Sequence, residues 1–417
     1  MKSKISFFIV GISALTALVG VISAGAPQLQ AAGNADKVDV FVSFDRTPGP
    51  AEEKLVRSFG GTVSYTYSIT PAIAASVPEA AIKGLLNNPR VTAVEMDGPV
   101  YPADTELTNS WGVERIGAGT VHTNGNTGAG VKIGIIDSGI NYSHPDLDGV
   151  YAGGYDFVES QNDLETREGD GAMDVYGHGT HVAGTACAED NNLGVVGVAP
   201  NCALYSLRVL NNDGVGSWSK TIAALNWAVT NKLQVVNLSL GSSKNPGTAV
   251  ETAFKNAATA GVVIVAAAGN SGNTAGKGDN IIYPAKYASV IAVGATDSTN
   301  KRASFSSTGS DLEIMAPGVS VLSTWNDNTS YLNPQPICLT GDCWYKYGSG
   351  TSMASPHVAG VAAIIIASGS APDANGDGKI YDEVRKKLND TATNLGVAGK
   401  DTQYGWGLVN AVAAVAP

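Results

Sequence analysis

Val131-Lys132-Ile133-Gly134-Ile135-Ile136-Asp137-Ser138-Gly139 is an apolar run that stops on a carboxylate, and its reading sets the fold. A short, nearly continuous apolar segment bounded by turn residues reads as a buried β-strand. Similar runs recur at Ala203–Leu210, Gln234–Leu240, Val262–Ala268, Val290–Ala295 and Glu313–Ala316, with helical stretches between them from Trp111 onward. Such alternation predicts an α/β domain, a doubly wound and mostly parallel sheet with helices on both faces. Functional groups in these sheets lie at the carboxyl ends of the strands. Asp137 stands at one of them.

Two later segments complete a set. Gly177-His178-Gly179-Thr180-His181-Val182-Ala183-Gly184 opens a small-residue helix on a histidine. Gly350-Thr351-Ser352-Met353-Ala354-Ser355-Pro356-His357-Val358-Ala359-Gly360 puts a serine at the mouth of an apolar helix, Val358 to Ala367. A serine hydroxyl is a poor nucleophile at neutral pH and needs an adjacent base. Histidine suits that role because its pKa lies near the working pH. A buried carboxylate can then fix the imidazole tautomer and stabilise the imidazolium. Glycines flank all three positions and let a substrate backbone come close. Each segment alone is weak evidence, since a serine at a helix start is most often an N-cap and an Asp after a strand is common turn chemistry. His178 and His181 lie three apart, but no Glu stands between them as the zinc-protease HExxH pattern requires.

In this chain order the Asp137, His178 and Ser352 segments resemble those of the subtilases, the subtilisin-like serine proteases, and the resemblance runs over nearly all of the chain. It implies a serine endopeptidase in which Ser352 attacks the peptide carbonyl, His178 moves the proton and Asp137 orients His178. Gly261 to Asn270 reads as a buried strand ending on an amide, and its Ala-Ala-Gly-Asn close is similar to the family's oxyanion motif. The resemblance therefore gives Asn270 the role of oxyanion donor, with the Ser352 backbone N–H as the second. Asp213-Gly214-Val215-Gly216 and Ser239-Leu240-Gly241 match the two family segments that pair with an extended substrate. Exposed backbone donors beside glycine suit that pairing. Ile282, before Tyr283-Pro284, would line the specificity pocket opposite Ala266 to Ala268 and favour an apolar residue before the scissile bond.

The resemblance also implies structural calcium. Glu189-Asp190-Asn191-Asn192-Leu193-Gly194-Val195 follows the histidine helix as the family's calcium loop does. In that likeness Asn191 offers its side chain, Glu189, Leu193 and Val195 their main-chain oxygens, and Asp146 its carboxylate; a further ligand near the mature N-terminus is not identifiable. A second candidate, Asp373-Ala374-Asn375-Gly376-Asp377-Gly378-Lys379-Ile380, alternates oxygens like the first half of an EF-hand loop. Asp373, Asn375, Asp377 and Lys379 would be its ligands. The last ligand departs from the pattern: Asp382 and Glu383 come before the expected position, which Val384 occupies.

At 417 residues the chain has length for more than one domain, and 44% hydrophobic residues with 50 glycines fit an α/β enzyme. A net charge of −11 offers no basic stripe for phosphates and excludes a nucleic-acid partner. Lys2 and Lys4 before an apolar run to Ala24 and then Ala24-Gly25-Ala26 read as a signal peptide, residues 1–26. The run is also long enough to span a bilayer, which leaves an uncleaved anchor as the alternative.

Residues 37–104 read as β-α-β-β-α-β: a strand at Val38–Phe44, a helix at Pro50–Phe59, strands at Thr62–Ile69 and Ala72–Val77, a helix at Pro78–Leu86 and a strand at Val91–Met96. That ferredoxin-like section resembles the subtilase propeptide, which implies an intramolecular chaperone and inhibitor cut off between about Pro102 and Leu107. Residues 107–417 would be the peptidase domain. Four cysteines in an exported chain suggest two disulfides with three possible connectivities, of which we favour Cys187–Cys202 and Cys338–Cys343. The expected partners are protein and peptide substrates and the chain's own propeptide, met outside the cell by a monomer, with the membrane touched only during export. A membrane-tethered processing protease and a catalytically silent binding protein on the same scaffold are the rival readings; silence is usually marked by a lost triad residue, and none is lost.

Overall fold

The computed structural model describes residues 37–97, 104–158, 172–326, 337–339 and 342–416. The expected signal segment and the stretch 98–103, which overlaps the start of the expected cutting region, lie outside them. The chain divides into two compact units, residues 1–102 and 103–417.

In the first unit the elements are β1 (Lys37–Phe44), α1 (Pro50–Ser58), β2 (Thr62–Thr66), β3 (Ala72–Pro78), α2 (Ile82–Leu86) and β4 (Val91–Met96). The sheet order is β2-β3-β1-β4 with every neighbouring pair antiparallel, the ferredoxin-like arrangement. Alternation along β1 buries Val40, Val42 and Phe44 against Val56, Ile73, Val77 and Leu85. Pro50 opens α1, where its missing N–H costs nothing, and the Gly49 N–H donates to Glu52 Oε2 at 3.0 Å. The expected helix at Pro78 begins later, because Pro78 still pairs with Lys37 at the end of β3 and a single 3₁₀ turn precedes Ile82.

The second unit begins with three short helices, α3 (Thr105–Asn109), α4 (Trp111–Arg115) and α5 (Ala118–Thr123). Then come β5 (Lys132–Asp137), β6 (Tyr151–Asp156), α6 (His178–Cys187), β7 (Ala203–Arg208), α7 (Trp218–Thr230), β8 (Val235–Leu238), α8 (Thr248–Thr259), β9 (Val263–Ala267), β10 (Ile291–Thr296) and β11 (Ile314–Pro317). After these follow β12 (Val321–Thr324), β13 (Ile337–Leu339), β14 (Asp342–Gly348), α9 (Thr351–Ser368), α10 (Tyr381–Asp390) and α11 (Ala411–Val415). Seven strands form one parallel sheet in the order β11-β10-β9-β8-β5-β7-β6. All six strands expected from their apolar runs are present, four of them trimmed at their ends and β10 and β11 shifted one residue toward the C-terminus. The seventh, β6, carries Tyr151-Ala152-Gly153-Gly154-Tyr155-Asp156 at the sheet edge, where no apolar run is needed.

The sheet is buried on both faces. On one, α6 and α9 pack over Ile133, Ile135, Val263, Val265 and Val293. On the other, α7 and α8 cover Ile136, Leu207, Val236, Ile264 and Ala292. Among the described residues only α9 is long and apolar enough to cross a membrane, and it is the buried core helix of this unit. Successive strands are added on one side of β5 and then, from β8, on the other, so the strand order reverses at β5. The crevice at the carboxyl end of β5 is the place such a sheet offers a ligand.

Candidate active site

Asp137 is the last residue of β5 and is fully buried. His178 opens α6 with 23% of its side chain exposed. Its Nδ1–H donates to Asp137 Oδ1 at 2.8 Å and Oδ2 at 3.0 Å, which leaves Nε2 for the cleft. Close approach of β5 and α6 makes this pair possible. A Cβ on Gly179 would stand 2.1 Å from the Gly139 carbonyl oxygen, so only glycine fits there.

A second buried carboxylate, Asp174, ties the two elements together. Its Oδ1 accepts the Ser138 hydroxyl at 2.9 Å and the Gly177 N–H at 2.8 Å, and its Oδ2 accepts the Thr180 N–H at 2.9 Å and hydroxyl at 2.7 Å. The Ser138 hydroxyl in turn accepts the Gly179 N–H at 2.9 Å. Burial drives the Asp174 pKa upward, against these hydrogen bonds. For His178 burial works against the charged form, but the Asp137 charge and hydrogen bond outweigh it and the pKa is raised above 6.5. The sequence reading missed Asp174; its signal was an acidic residue four positions before His178, in a segment that must seed a helix N-terminus.

Ser352 is the second residue of α9, which starts at Thr351 and not at Val358; Pro356 lies inside the helix, and its missing N–H frees the Ser352 carbonyl for a side-chain donor. The Ser352 hydroxyl donates to the Ser239 carbonyl at 3.2 Å, and it makes no hydrogen bond to His178. Ser239 holds the backbone of Ser352 as well, its hydroxyl donating to the Ser352 carbonyl at 2.8 Å.

Strand β9 ends at Ala267, so Asn270 lies three residues beyond it and not on its last position; Gly269, at φ +107°, turns the chain. Asn270 Oδ1 accepts the Thr351 N–H at 2.9 Å and hydroxyl at 3.1 Å. Its Nδ2 and the Ser352 backbone nitrogen border one space: a Cβ on Gly350 would lie 3.4 Å from the first and 3.6 Å from the second. Two N–H donors converging on one point can hold a developing negative charge.

A cleft of about 450 Å³ runs from His178 and Tyr176 past Leu210, Gly214, Val215, Gly216 and Trp218 to Ser239, Leu240 and Gly241. The two segments expected to flank a substrate therefore line one groove. Gly214 (φ +73°) is at a hairpin tip whose Leu210 and Gly216 form an antiparallel bridge. Ile282 is outside this lining.

The pair His178–His181 does not converge on a metal. His181 is buried, its Nε2–H is shared by the carbonyls of Val321 (3.1 Å) and Lys346 (3.0 Å), and burial lowers its pKa to about 3. Among the described residues no group of three or more His, Cys, Asp or Glu side chains is placed to hold a metal.

The first calcium loop has other chemistry. Asp146 is fully buried and accepts the Val195 N–H at 3.1 Å, while its Oδ1 has no hydrogen-bond partner of ordinary geometry; burial pushes its pKa to about 7. Glu189 turns its side chain to the Gly149 N–H at 2.7 Å, leaving only main-chain oxygen for the loop. Asn191 Oδ1 accepts the Leu193 N–H at 3.0 Å. A residue the sequence reading did not find, Glu106 of α3, reaches the same loop: its Oε1 accepts the N–H groups of Asn191 (3.2 Å) and Leu193 (2.7 Å), and burial raises its pKa to about 7. Two buried carboxylates, one with an orphaned oxygen, fit a hard cation among main-chain oxygens.

In the second loop Asp373, Asn375 and Asp377 accept backbone N–H groups of Gly376, Asp377 and Lys379. Val384 is buried in the core. Helix α10 instead swings Glu383 back, so that its Oε1 accepts the Ala374 N–H at 3.1 Å, and Asp382 Oδ2 accepts from Asn375 at 2.9 Å. Asp382 Oδ1 and Glu383 Oε2 have no partners.

Cys187 and Cys202 are bridged, joining the end of α6 to the start of β7 around the first loop. For the expected Cys338–Cys343 bridge, the Cys343 side chain lies outside the described residues. The long segment from Trp325 to Tyr347 adds the small antiparallel sheet β12-β14-β13. No described residue of that segment lines the cleft. Tyr345 is instead fully buried against Ala188, Val195 and Leu322, over the first calcium loop.

The chain is similar to known proteins over most of its length. A model of the subtilase family matches residues 128–407. The chain is 39% identical over 391 residues to subtilisin J of Geobacillus stearothermophilus, covering 93% of each. It is 48% identical over 309 residues to subtilisin DY of Bacillus licheniformis, covering 74% of this chain and 98% of that one. An alkaline protease of Alkalihalobacillus alcalophilus is 41% identical over 352 residues, 84% of this chain and 80% of its own.

Proposed function

This chain belongs to the subtilase family of serine endopeptidases, and from that premise we propose that Asp137, His178 and Ser352 are its catalytic triad and Asn270 its oxyanion donor. The observation that carries the proposal is the Asp137–His178 pair, whose imidazole lines the cleft together with Ser239, the residue whose carbonyl holds the Ser352 hydroxyl, while Asn270 Nδ2 and the Ser352 nitrogen border one space beside Gly350. Attack requires the Ser352 hydroxyl to leave the Ser239 carbonyl and turn to His178 Nε2. Apo active-site hydrogen bonds are often this loose.

The Ser352 oxygen then bonds the scissile carbon while its proton passes to His178 Nε2. The carbonyl π pair moves onto oxygen, between Asn270 Nδ2 and the Ser352 N–H. His178 gives the proton to the leaving amine as the C–N bond breaks. Water repeats the cycle on the acyl-enzyme: it loses a proton to His178, bonds the acyl carbon, and Ser352 departs with that proton. Asp137 holds the His178 Nδ1–H and stabilises the imidazolium. Gly214–Gly216 and Ser239–Gly241 flank the substrate strand.

Calcium would be held by Asp146, Glu106, Asn191 and the carbonyls of Glu189, Leu193 and Val195, and at the second loop by Asp373, Asn375, Asp377, Lys379, Asp382 and Glu383. Bound there, it supplies positive charge to buried oxygens and rigidity to two loops. Residues 1–26 direct export, and residues 37–104 act as a propeptide that assists folding and blocks the site until cut. The mature enzyme works outside the cell on protein substrates.

The test is to express the wild type and Ser352→Ala, then sequence the N-terminus of each secreted product. Self-maturation leaves the wild type trimmed near residues 102–107 and the variant untrimmed. Equal trimming of both assigns the cut to another protease.

A further inference from the structure

We propose that Ile282 plugs the pocket beneath the attacked carbonyl, so that the enzyme cleaves after small residues, alanine, glycine or serine, and rejects large apolar and aromatic ones. The inference rests on the assignment of Ser352 and Asn270 above, and sharpens the apolar preference expected from sequence to a size limit.

The geometry follows from where the reacting groups sit. The carbonyl oxygen points between Asn270 Nδ2 and the Ser352 N–H, and the attacked carbon lies at the Ser352 hydroxyl, which now touches the Ser239 carbonyl. Two runs of chain therefore border the residue that donates this carbonyl: Ser239–Gly241 on one side and Ala268–Asn270 on the other. Its side chain must descend between them. Glycine at both 241 and 269 would leave a deep slot, because neither carries a side chain into it.

Ile282 occupies that slot. A Cβ built on Gly241 meets the Tyr283 carbonyl oxygen at 2.2 Å, then Ile282 Cδ1 at 2.8 Å and Cγ1 at 3.1 Å; one built on Gly269 meets Ile282 Cγ2 and Ser307 Oγ at 3.0 Å and Ile282 Cγ1 at 3.2 Å. The isoleucine thus touches both walls at once. It cannot swing aside, because its backbone is pinned to both. The Ile282 N–H donates to the Ala268 carbonyl at 3.0 Å, and Tyr283 exchanges two hydrogen bonds with Ser242, each 2.9 Å. A β-branched side chain also has few rotamers to choose from. A methyl or hydroxymethyl group fits above the isoleucine, whereas a benzyl group would have to displace well-packed chain, and overpacking of that kind is costly.

The experiment uses the matured enzyme and a matched pair of chromogenic peptides that differ only in Ala or Phe before the scissile bond. Active sites are counted by fluorophosphonate labelling. The wild type is expected to favour Ala in kcat/KM by at least about tenfold, and Ile282→Gly to shift the Phe-to-Ala ratio by roughly a hundredfold toward Phe, the scale on which pocket size discriminates. Ile282→Ala, which disturbs the backbone less, should shift it the same way by a smaller factor. A wild type that prefers Phe, or variants labelled normally but unchanged in ratio, overturns the plug. A matured wild type that fluorophosphonate does not label overturns the Ser352 assignment itself, and is thereby distinguished from a failure of the size limit.

Discussion

Thr351 gives both its backbone N–H, at 2.9 Å, and its hydroxyl, at 3.1 Å, to a single atom, Asn270 Oδ1. The hydroxyl also accepts the Gly269 N–H at 3.1 Å, so the residue before Ser352 and the turn after β9 are stitched together. With its oxygen held twice, the Asn270 amide is fixed in orientation, and Nδ2 is left beside the Ser352 nitrogen. Preorganised donors of this kind cost no reorientation at the moment of attack.

Thr351→Val keeps the backbone bond and the shape but removes the hydroxyl. We expect kcat to fall about tenfold with KM little changed, since the donor acts mainly on charge that develops in the transition state. Asn270→Ala should cost more, about 10²–10³ in kcat, a size known for such a donor in subtilisin and so carried over from a relative. Steady-state kinetics on one peptide substrate checks both; an unchanged Thr351→Val enzyme would show that the backbone bond alone holds the amide.

The pH profile should report the Asp137–His178 pair. Burial opposes charge on His178, but Asp137 more than compensates and raises its pKa above 6.5, with a smaller contribution from Asp174. The base must be neutral to accept a proton, so kcat/KM should rise with pH through a limb centred above 6.5. Asp137→Asn removes the main raising influences and leaves burial. The limb should then move downward and the plateau fall by about 10⁴, because the wrong tautomer is favoured. A limb that stays in place would assign it to a group other than His178.

Much of this arrangement was legible because the chemistry coincides with strong local signals. The apolar run ending at Asp137, the glycines around His178 and the Ala-Ala-Gly-Asn turn each mark an element terminus, and a parallel sheet gathers such termini at one edge. What escaped had no local signature. Glu106 joins the Glu189–Val195 loop from 85 residues away in sequence, across a contact only the folded chain makes. Asp174 reads as one more turn acid until its five hydrogen bonds are seen. Strand β6 is short, glycine-containing and at the edge, where burial on both faces no longer demands an apolar run. Ile282 was legible as a pocket residue, but its bulk between two glycines depends on side-chain direction, which spacing alone does not give.

Asp146 makes the cation requirement measurable. A buried carboxylate with an orphaned oxygen is costly, and a bound cation relieves that cost while holding the folded state by mass action. At a free calcium concentration a hundredfold above Kd, one site contributes about 2.7 kcal/mol. A chelator should therefore lower the Tm of fluorophosphonate-inactivated mature enzyme by roughly 5–10 °C per occupied site, given about 2–4 °C per kcal/mol for a domain of similar scale. Inactivation matters because self-digestion would otherwise blur the transition. Asp146→Ala should begin at a lower Tm and respond less to chelator, since the first loop can no longer hold its cation. Asp373→Ala should remove the part of the response that belongs to the second loop, and the double variant should ignore the chelator altogether. If Asp146→Ala kept the full response of the parent, the loop at Glu189–Val195 would not be the cation site, and the raised pKa of Asp146 would have to be borne by the fold alone.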